Sequence, residues 1–544
     1  MKTLIIGLDG GTFKVIDQLI KQDKLPNFSY LIKNGCHGIL KSTIHPITAP
    51  AWTSFMTGVN PGKHGIYDFS IKIPGSYEIK YVNRTFNTAY KTIWQLLSEE
   101  DVRVGCFNIP MTYPVEKVNG FMISGLGTPG VESEFTYPAD LKKEIIDKFG
   151  SYKILNPFRR TTCDGFIKSL HENIDQILEI SLYLLKKYNP DVFCVIFGET
   201  DYVQHHFWHC MDPKHPCYSE ELNKKYGNAI YNVYQHIDEN IGKLLNEFHF
   251  DQIFILSDHG FGPTQGFINL NAWLEQEGYL VKNQASSFLR KLRYFSRKYL
   301  PEQMKQHIMR KLPFLKDRID SFLFGQNIDW SKTKAFAGGV YGNIYINLKG
   351  REPLGVILEN QYEEIIQELK EKLLKLLNPI TKEPLIEKIL TKNEVYQGEK
   401  LDYAPDLVVI YKDYLYYSMP TLLQTEHYFY QTFLENVVGE LKSLSYHTLD
   451  GIFIAYGKNI NINQQIYNAQ IIDIAPTLLY SLNKKIPSYM DGKVLKEIFQ
   501  KSFWEENLPK YTDYNKKTKK KFYKEYNSSE EEEIKKRLKQ LGYF

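Results

Sequence analysis

Val192-Phe193-Cys194-Val195-Ile196-Phe197-Gly198-Glu199-Thr200-Asp201-Tyr202-Val203-Gln204-His205 carries two messages. Its first part is apolar at consecutive positions, the pattern of a strand covered on both faces. The run then stops on glycine and acidic residues. Asp201 and His205 stand four apart, so a helix starting here turns both side chains to one side. The same design recurs twice, in Leu4-Ile5-Ile6-Gly7-Leu8-Asp9 and in Ile253-Phe254-Ile255-Leu256-Ser257-Asp258-His259-Gly260. Val102 to Phe107 and Ile452 to Ala455 read as further strands. Helical patterns lie between, over Thr12 to Ile32 and over Asn173 to Lys187, where Ile174, Ile177, Leu178 and Leu184 share a face. Strands alternating with helices predict an α/β fold with a mostly parallel sheet. In such sheets ligands collect outside the carboxyl ends of the strands, where these acidic and imidazole groups fall.

Composition narrows the function. A chain of 544 residues that is 43% hydrophobic and 24% charged has ordinary globular usage and material for a large core. The formal net charge of +4 is too small over this length to make nucleic acid the main ligand. Six cysteines without a CxxC pair indicate a reducing compartment, so a cytoplasmic location is expected. The first apolar run ends at Asp9 without a cleavage site, and reads as a strand, not a signal peptide. No stretch reaches the roughly 20 apolar residues that span a bilayer.

Two segments depart from the alternating pattern. Ser286 to Phe324 is helical in character and basic, with Arg290, Lys291, Arg293, Arg297 and Lys298 at its start. It reads as an insertion: a cap that selects a polyanionic substrate, a basic amphipathic face for an anionic membrane surface, or a solvated helix pair. From about Ser502 the chain is rich in Lys, Tyr and Glu and reads as a solvated, partly helical tail.

Asp9, Asp201, Asp258 and the imidazoles His205, His259 and His447 form a set of three carboxylates and three histidines. Mixed oxygen and nitrogen ligation suits zinc or manganese. Each residue also has an ordinary use. An aspartate at a strand end caps helices and forms turns. Asp201 and His205 can pair on a helix surface, and His206 and His209 compete with His205 for any ligand role. His447 alone reads as structural.

The segment Ile47-Thr48-Ala49-Pro50-Ala51-Trp52-Thr53-Ser54-Phe55-Met56-Thr57-Gly58 continues through Val59-Asn60-Pro61-Gly62-Lys63-His64-Gly65-Ile66. Pro50 suits a first helical turn and Gly58 a helix end, so Thr48 sits at a helix N-terminus, where an anion is favoured. With Asp9, Asp201, His205, Ser257-Asp258-His259-Gly260 and His447 in the same order, the chain resembles the alkaline phosphatase superfamily. The likeness is to its nucleotide pyrophosphatase/phosphodiesterase branch and to prokaryotic phosphohydrolase/phosphomutase-like proteins. It extends to Asp473-Ile474-Ala475-Pro476-Thr477-Leu478-Leu479 and Asp491-Gly492.

The resemblance implies an alkaline phosphatase-like α/β/α sandwich. Residues 1–275 and 330–500 would form the two parts of the core, 276–329 a basic helical insertion, and 501–544 a charged tail. It also implies two divalent metal ions, one held by Asp201, His205 and His447, the other by Asp9, Asp258, His259 and the Thr48 oxygen. His64 and Glu199 fall outside the ligand set. A metal-bound threonine hydroxyl can attack as an alkoxide, so a covalent phosphothreonine at Thr48 is expected. Where the pyrophosphatase branch has an Asn contacting a phosphoryl oxygen, this chain has Phe69. Asn108, after the Val102–Phe107 run, is the candidate replacement, with a turn-forming role as its alternative. Sulfatases and the independent phosphoglycerate mutases differ around the nucleophile, which leaves a diesterase or pyrophosphatase acting on a phosphorylated small molecule. The alternatives are a phosphomonoesterase or phosphomutase, and a non-catalytic binding protein on this fold.

Overall fold

Strand β1, Thr3–Leu8, is buried along its whole length, and its side chains divide between two cores. Leu4, Ile6 and Leu8 pack on one face of the sheet and Ile5 on the other, the period-two alternation of a strand between two layers. The computed structural model describes residues 2–87, 89–150, 152, 162–283, 328–418, 427–430, 443–514 and 524–541. The basic segment 286–324 lies outside them.

The central sheet also contains β2 (Cys36–Lys41), β3 (Val104–Ile109), β4 (Gly120–Ser124), β5 (Thr136–Tyr137), β6 (Val192–Phe197) and β7 (Gln252–Leu256). Two later strands, β10 (Asp450–Gly457) and β11 (Gln464–Gln470), complete it. Its order is β11-β2-β10-β7-β1-β6-β3-β4-β5. β1 runs parallel to β6 and β7, and β3 to β6 and β4, whereas β10 is antiparallel to both its neighbours. A short antiparallel pair outside this sheet, β8 (Gly260–Pro263) and β9 (Ser445–Thr448), puts Phe261 opposite His447.

Helices cover both faces. On one lie α1 (Phe13–Ile20), α3 (Cys163–Tyr188) and α5 (Ala229–Glu247), contributing Val15, Ile174, Ile177, Val233 and Ile237. On the other, α2 (Thr48–Thr57) contributes Trp52, Phe55 and Met56. The arrangement is the expected α/β/α sandwich. One expected helix differs: Thr12 to Ile32 is split into Phe13–Ile20 and Pro26–Lys33. Asp23 between them has φ of 56°, and Pro26 begins the second helix, where its missing N–H costs nothing.

Before returning to the central sheet, the chain builds a separate antiparallel sheet from Ala335–Gly338, Asn343–Ile346, Leu407–Tyr411 and Ile386–Thr391. Arg351 holds it together by pairing with buried Asp406 at 2.6 Å, and Lys72 ties it to the first part of the chain through Glu352 at 2.7 Å. The expected solvated tail is helical but docked. Helix α6, Ser528–Leu541, buries Ile534 and Leu538 while its glutamates stay outward. No helix among the described residues is long and apolar enough to cross a membrane.

Candidate metal centre

The three strands that end in acidic residues are neighbours, in the order β7-β1-β6, so their carboxyl ends deliver Asp258, Asp9 and Asp201 to one place. Asp201 lies in the first turn of α4, Glu199–Met211, which turns His205 the same way. His205 Nε2 is 3.4 Å from Asp201 Oδ2, and His447 Nε2 is 3.1 Å from Asp201 Oδ1. His259 Nε2 lies 3.2 Å from Asp258 Oδ2 and 3.5 Å from Asp9 Oδ1. His206, the competing residue on α4, packs edge-on against Phe166 instead.

Thr48, the first residue of α2, points its hydroxyl into this cluster. Oγ1 is 3.2 Å from His259 Nε2 and 3.5 Å from Asp9 Oδ1. The helix runs from Ile47 as its cap to Gly58, whose φ of 67° closes it in the left-handed conformation. Gly7 on β1 makes room for the far edge of the Trp52 ring, since a Cβ there would stand 2.5 Å from it. Trp52 Nε1 can then donate to Asp9 Oδ2 at 3.0 Å.

The donor chemistry fits divalent metal ions. Each imidazole has Nδ1 beside a main-chain carbonyl: His205 on Ser445 at 2.8 Å, His447 on Pro46 at 2.9 Å, and His259 on Gly260 at 3.1 Å. A carbonyl only accepts, so Nδ1 carries the proton and each Nε2 presents a lone pair to the cluster. His205 Nε2 and His447 Nε2 are only 3.0 Å apart, a distance at which two lone pairs repel unless a cation lies between them. Asp258 Oδ2 is buried with no hydrogen-bond donor among the described residues. Two groups have donor atoms within 4.8 Å of one another: Asp9 with Asp258 and His259, and Asp201 with His259 and His447.

The electrostatics point the same way. Burial, and then the charges of Asp258 and Asp201, push the Asp9 carboxyl well above its ordinary range; burial and Asp201 do the same to Asp258. Burial opposes charge on Asp201 too, and its carboxyl is held well below its range only by positive charge at His205 and His447, a charge that a cation supplies when both imidazoles are neutral. Burial pulls His447 and His259 down, which keeps both neutral as ligands must be. Positive charge placed among these groups would relieve all the repulsion at once.

Other expected residues take varied places. His64 is fully buried, with Nε2 on Ser54 Oγ at 3.0 Å and Nδ1 accepting from the Ile66 amide, a structural post outside the cluster. Glu199 is buried beside the cluster, and burial pushes its carboxyl up to about 7. Asn108 closes β3 with φ of 61° and donates its side-chain amide to Ile196 O of β6 at 2.9 Å. That bond commits the amide to the sheet. Phe69 is in the core. Trp52 and Thr200, whose hydroxyl donates to the Asp9 carbonyl at 2.6 Å, join the site although no sequence motif marks them. The spacing of Thr48 and Trp52, one helical turn apart, was the signal available for the first.

An alcohol held against buried carboxylates and imidazoles, at the carboxyl ends of a sheet in this order, defines a phosphoester hydrolase of the alkaline phosphatase type. Comparison with known proteins makes the class specific. The sequence matches the family described as type I phosphodiesterase / nucleotide pyrophosphatase over residues 3–429, and the chain belongs to that family, within the alkaline phosphatase superfamily. Its members are hydrolases acting on phosphoester bonds. No curated protein matches the sequence. Among solved structures, murine ectonucleotide pyrophosphatase / phosphodiesterase 5 is similar at 15% identity and a TM-score of 0.52, over 92% of this chain and 100% of that one. Phosphonoacetate hydrolase from Sinorhizobium meliloti 1021, solved with phosphonoacetate, is similar at 13% identity and a TM-score of 0.52, over 87% of this chain and 94% of that one. At these identities the likeness is one of fold.

Proposed function

We propose that the protein is a phosphodiesterase or nucleotide pyrophosphatase that works through a covalent phosphothreonine at Thr48. The observation that carries this is the position of Thr48 Oγ1, at a helix N-terminus and within 3.5 Å of both Asp9 Oδ1 and His259 Nε2. Asp9, Asp258 and His259 would hold one divalent ion and Asp201, His205 and His447 the other, with zinc or manganese suited to the mixed donors. When bound, the ions supply a lowered pKa for the threonine hydroxyl and charge stabilisation for the departing oxygen.

The chain's own residues do the rest. The N-terminus of α2 offers amides and a favourable dipole to the phosphoryl oxygens. Thr48 Oγ bonds to phosphorus as the bond to the leaving alcohol or phosphate breaks, and water then cleaves the phosphothreonine to release a phosphomonoester and restore the hydroxyl. Trp52 and Thr200 orient Asp9 throughout. Asn108 contacts a phosphoryl oxygen in this scheme only by exchanging its bond to Ile196.

The same reading gives the basic insertion 286–324 the role of a substrate-selecting cap. It also assigns the enzyme to the cytoplasm, which six cysteines without a CxxC pair support. The test is rapid quenching of metal-loaded protein with bis-p-nitrophenyl phosphate, followed by mass spectrometry of the peptide bearing Thr48. A phosphoryl adduct on Thr48, absent from Thr48→Ala, is the expected result. Turnover near the wild-type rate in Thr48→Ala would end the covalent mechanism.

A further inference from the structure

The C-terminal segment crosses back over the sheet and brings a charge with it. Tyr526 donates to the Gly127 carbonyl at 2.5 Å and stacks over Tyr113, whose hydroxyl donates to Glu530 at 2.9 Å. Helix α6 then lays Arg537 into the interior with 5% of its surface exposed. Its Nη1 donates to the Thr128 carbonyl, in the loop that leaves the carboxyl end of β4. This is the end of the sheet that carries the metal centre. β4 lies three strand spacings from β1, about 14 Å across the sheet.

A guanidinium has five N–H donors, and among the described residues one hydrogen bond, to Thr128, engages them. Arg537 Nε has no acceptor and the group no ion-pair partner among the described residues. Pinning α6 does not explain this. Glu533, one helical turn back, acts on the guanidinium without forming an ion pair with it, and a buried charge so weakly compensated is costly, where a methionine would fill the same path more cheaply. Two more buried polar atoms have no hydrogen-bond partner among the described residues: the Tyr152 hydroxyl and Glu199 Oε2. Arg537 and Glu199 both act electrostatically on Tyr152 and on Tyr202, which adjoins Asp201 and is partly exposed.

We propose that Arg537 forms an anion-reading subsite at the carboxyl ends of β4 and β6, taking a carboxylate or phosphate at the far end of a phosphodiester substrate. Tyr152 and Glu199 Oε2 receive the polar groups beside that anion. The inference rests on the phosphodiesterase reading and narrows its substrate class to phosphodiesters with a second negative charge.

The test uses three p-nitrophenyl phosphodiesters with the same leaving group and second arms ending in phosphate, carboxylate or a neutral amide. Wild type should prefer an anionic arm by about 10-fold or more in kcat/KM, the scale of a charge-assisted hydrogen bond. Arg537→Met, which keeps the packing stem, should abolish that preference while sparing the amide ester, and Arg537→Lys should retain part of it. The order of the two anionic arms identifies the natural group. Equal loss on all three esters, or no preference in wild type, would overturn the subsite. Calorimetric binding of non-hydrolysable phosphonates with carboxylate and amide arms makes the same comparison without turnover. A carboxylate preference there that needs Arg537, in protein that hydrolyses none of the esters, would uphold the subsite and refute the enzyme reading.

Discussion

Replacing Trp52 by phenylalanine should weaken one metal site and leave the other alone. The indole N–H reaches Asp9 Oδ2 at 3.0 Å in a fully buried setting, and it opposes the burial and carboxylate charge that raise the Asp9 carboxyl. A hydrogen bond to a charged group is worth about 1.5–3 kcal/mol, which corresponds to roughly 10- to 150-fold in affinity at the Asp9–Asp258–His259 group. Loss of part of the ring costs packing as well, about 1–2 kcal/mol of stability for a partial truncation next to Phe55. The two effects separate on different readouts. Chelator-competition titration with zinc should show one ion weakened and the second unchanged, because Asp201, His205 and His447 do not touch Trp52, and excess metal should restore kcat. Benzothienylalanine at this position keeps the volume and removes the N–H, so it should reproduce the metal defect with less loss of melting temperature. Unaltered affinity for both ions, with only the melting temperature lowered, would refute the reasoning and make Trp52 a packing residue.

His205→Ala should lose the second ion and activity by orders of magnitude, whereas His206→Ala, on the Phe166 side of α4, should keep both; metal analysis of the two variants decides between them. Asp406→Asn should destabilise the fold by about 1–3 kcal/mol at neutral pH in denaturant unfolding, because Arg351 loses its charge-assisted bonds to Asp406 while keeping Glu352 at 3.1 Å. Burial opposes the Asp406 charge, but Arg351 and Lys392 hold the folded carboxyl below its ordinary 3.8. Its contribution is therefore complete above that value and is lost as pH falls through the lower folded value, so the gap between variant and wild type should narrow only in strong acid. His64→Ala should lower the melting temperature through the lost Ser54 and Ile66 bonds while leaving two ions bound, as checked by metal analysis.

What the sequence made legible follows from the range of the interactions involved. β1, β6 and β7 were readable because burial on both faces demands apolar residues at every position, a purely local mark. The turn that splits Thr12 to Ile32 has a local mark in Pro26, which suits the first position of a new helix. Helical spacing favours His205, four after Asp201, over His206, five after it, but spacing cannot say whether either side chain meets a third group. Ser445 and His447, more than 200 residues away, are the groups that His205 meets, through contacts only the fold assembles. The antiparallel sheet over 335–411 was hidden for a related reason. Its stabilising charges, Arg351 on Asp406 and Lys72 on Glu352, are polar residues that sequence patterning assigns to the surface. The tail shows the same limit. Lys and Glu runs advertise solvent, and the buried stripe of Ile534, Arg537 and Leu538 is one helical turn wide beneath them. A charged residue inside such a stripe costs free energy wherever it lacks a counter-charge. Arg537 is therefore the position at which reading the tail as solvated hides the most chemistry.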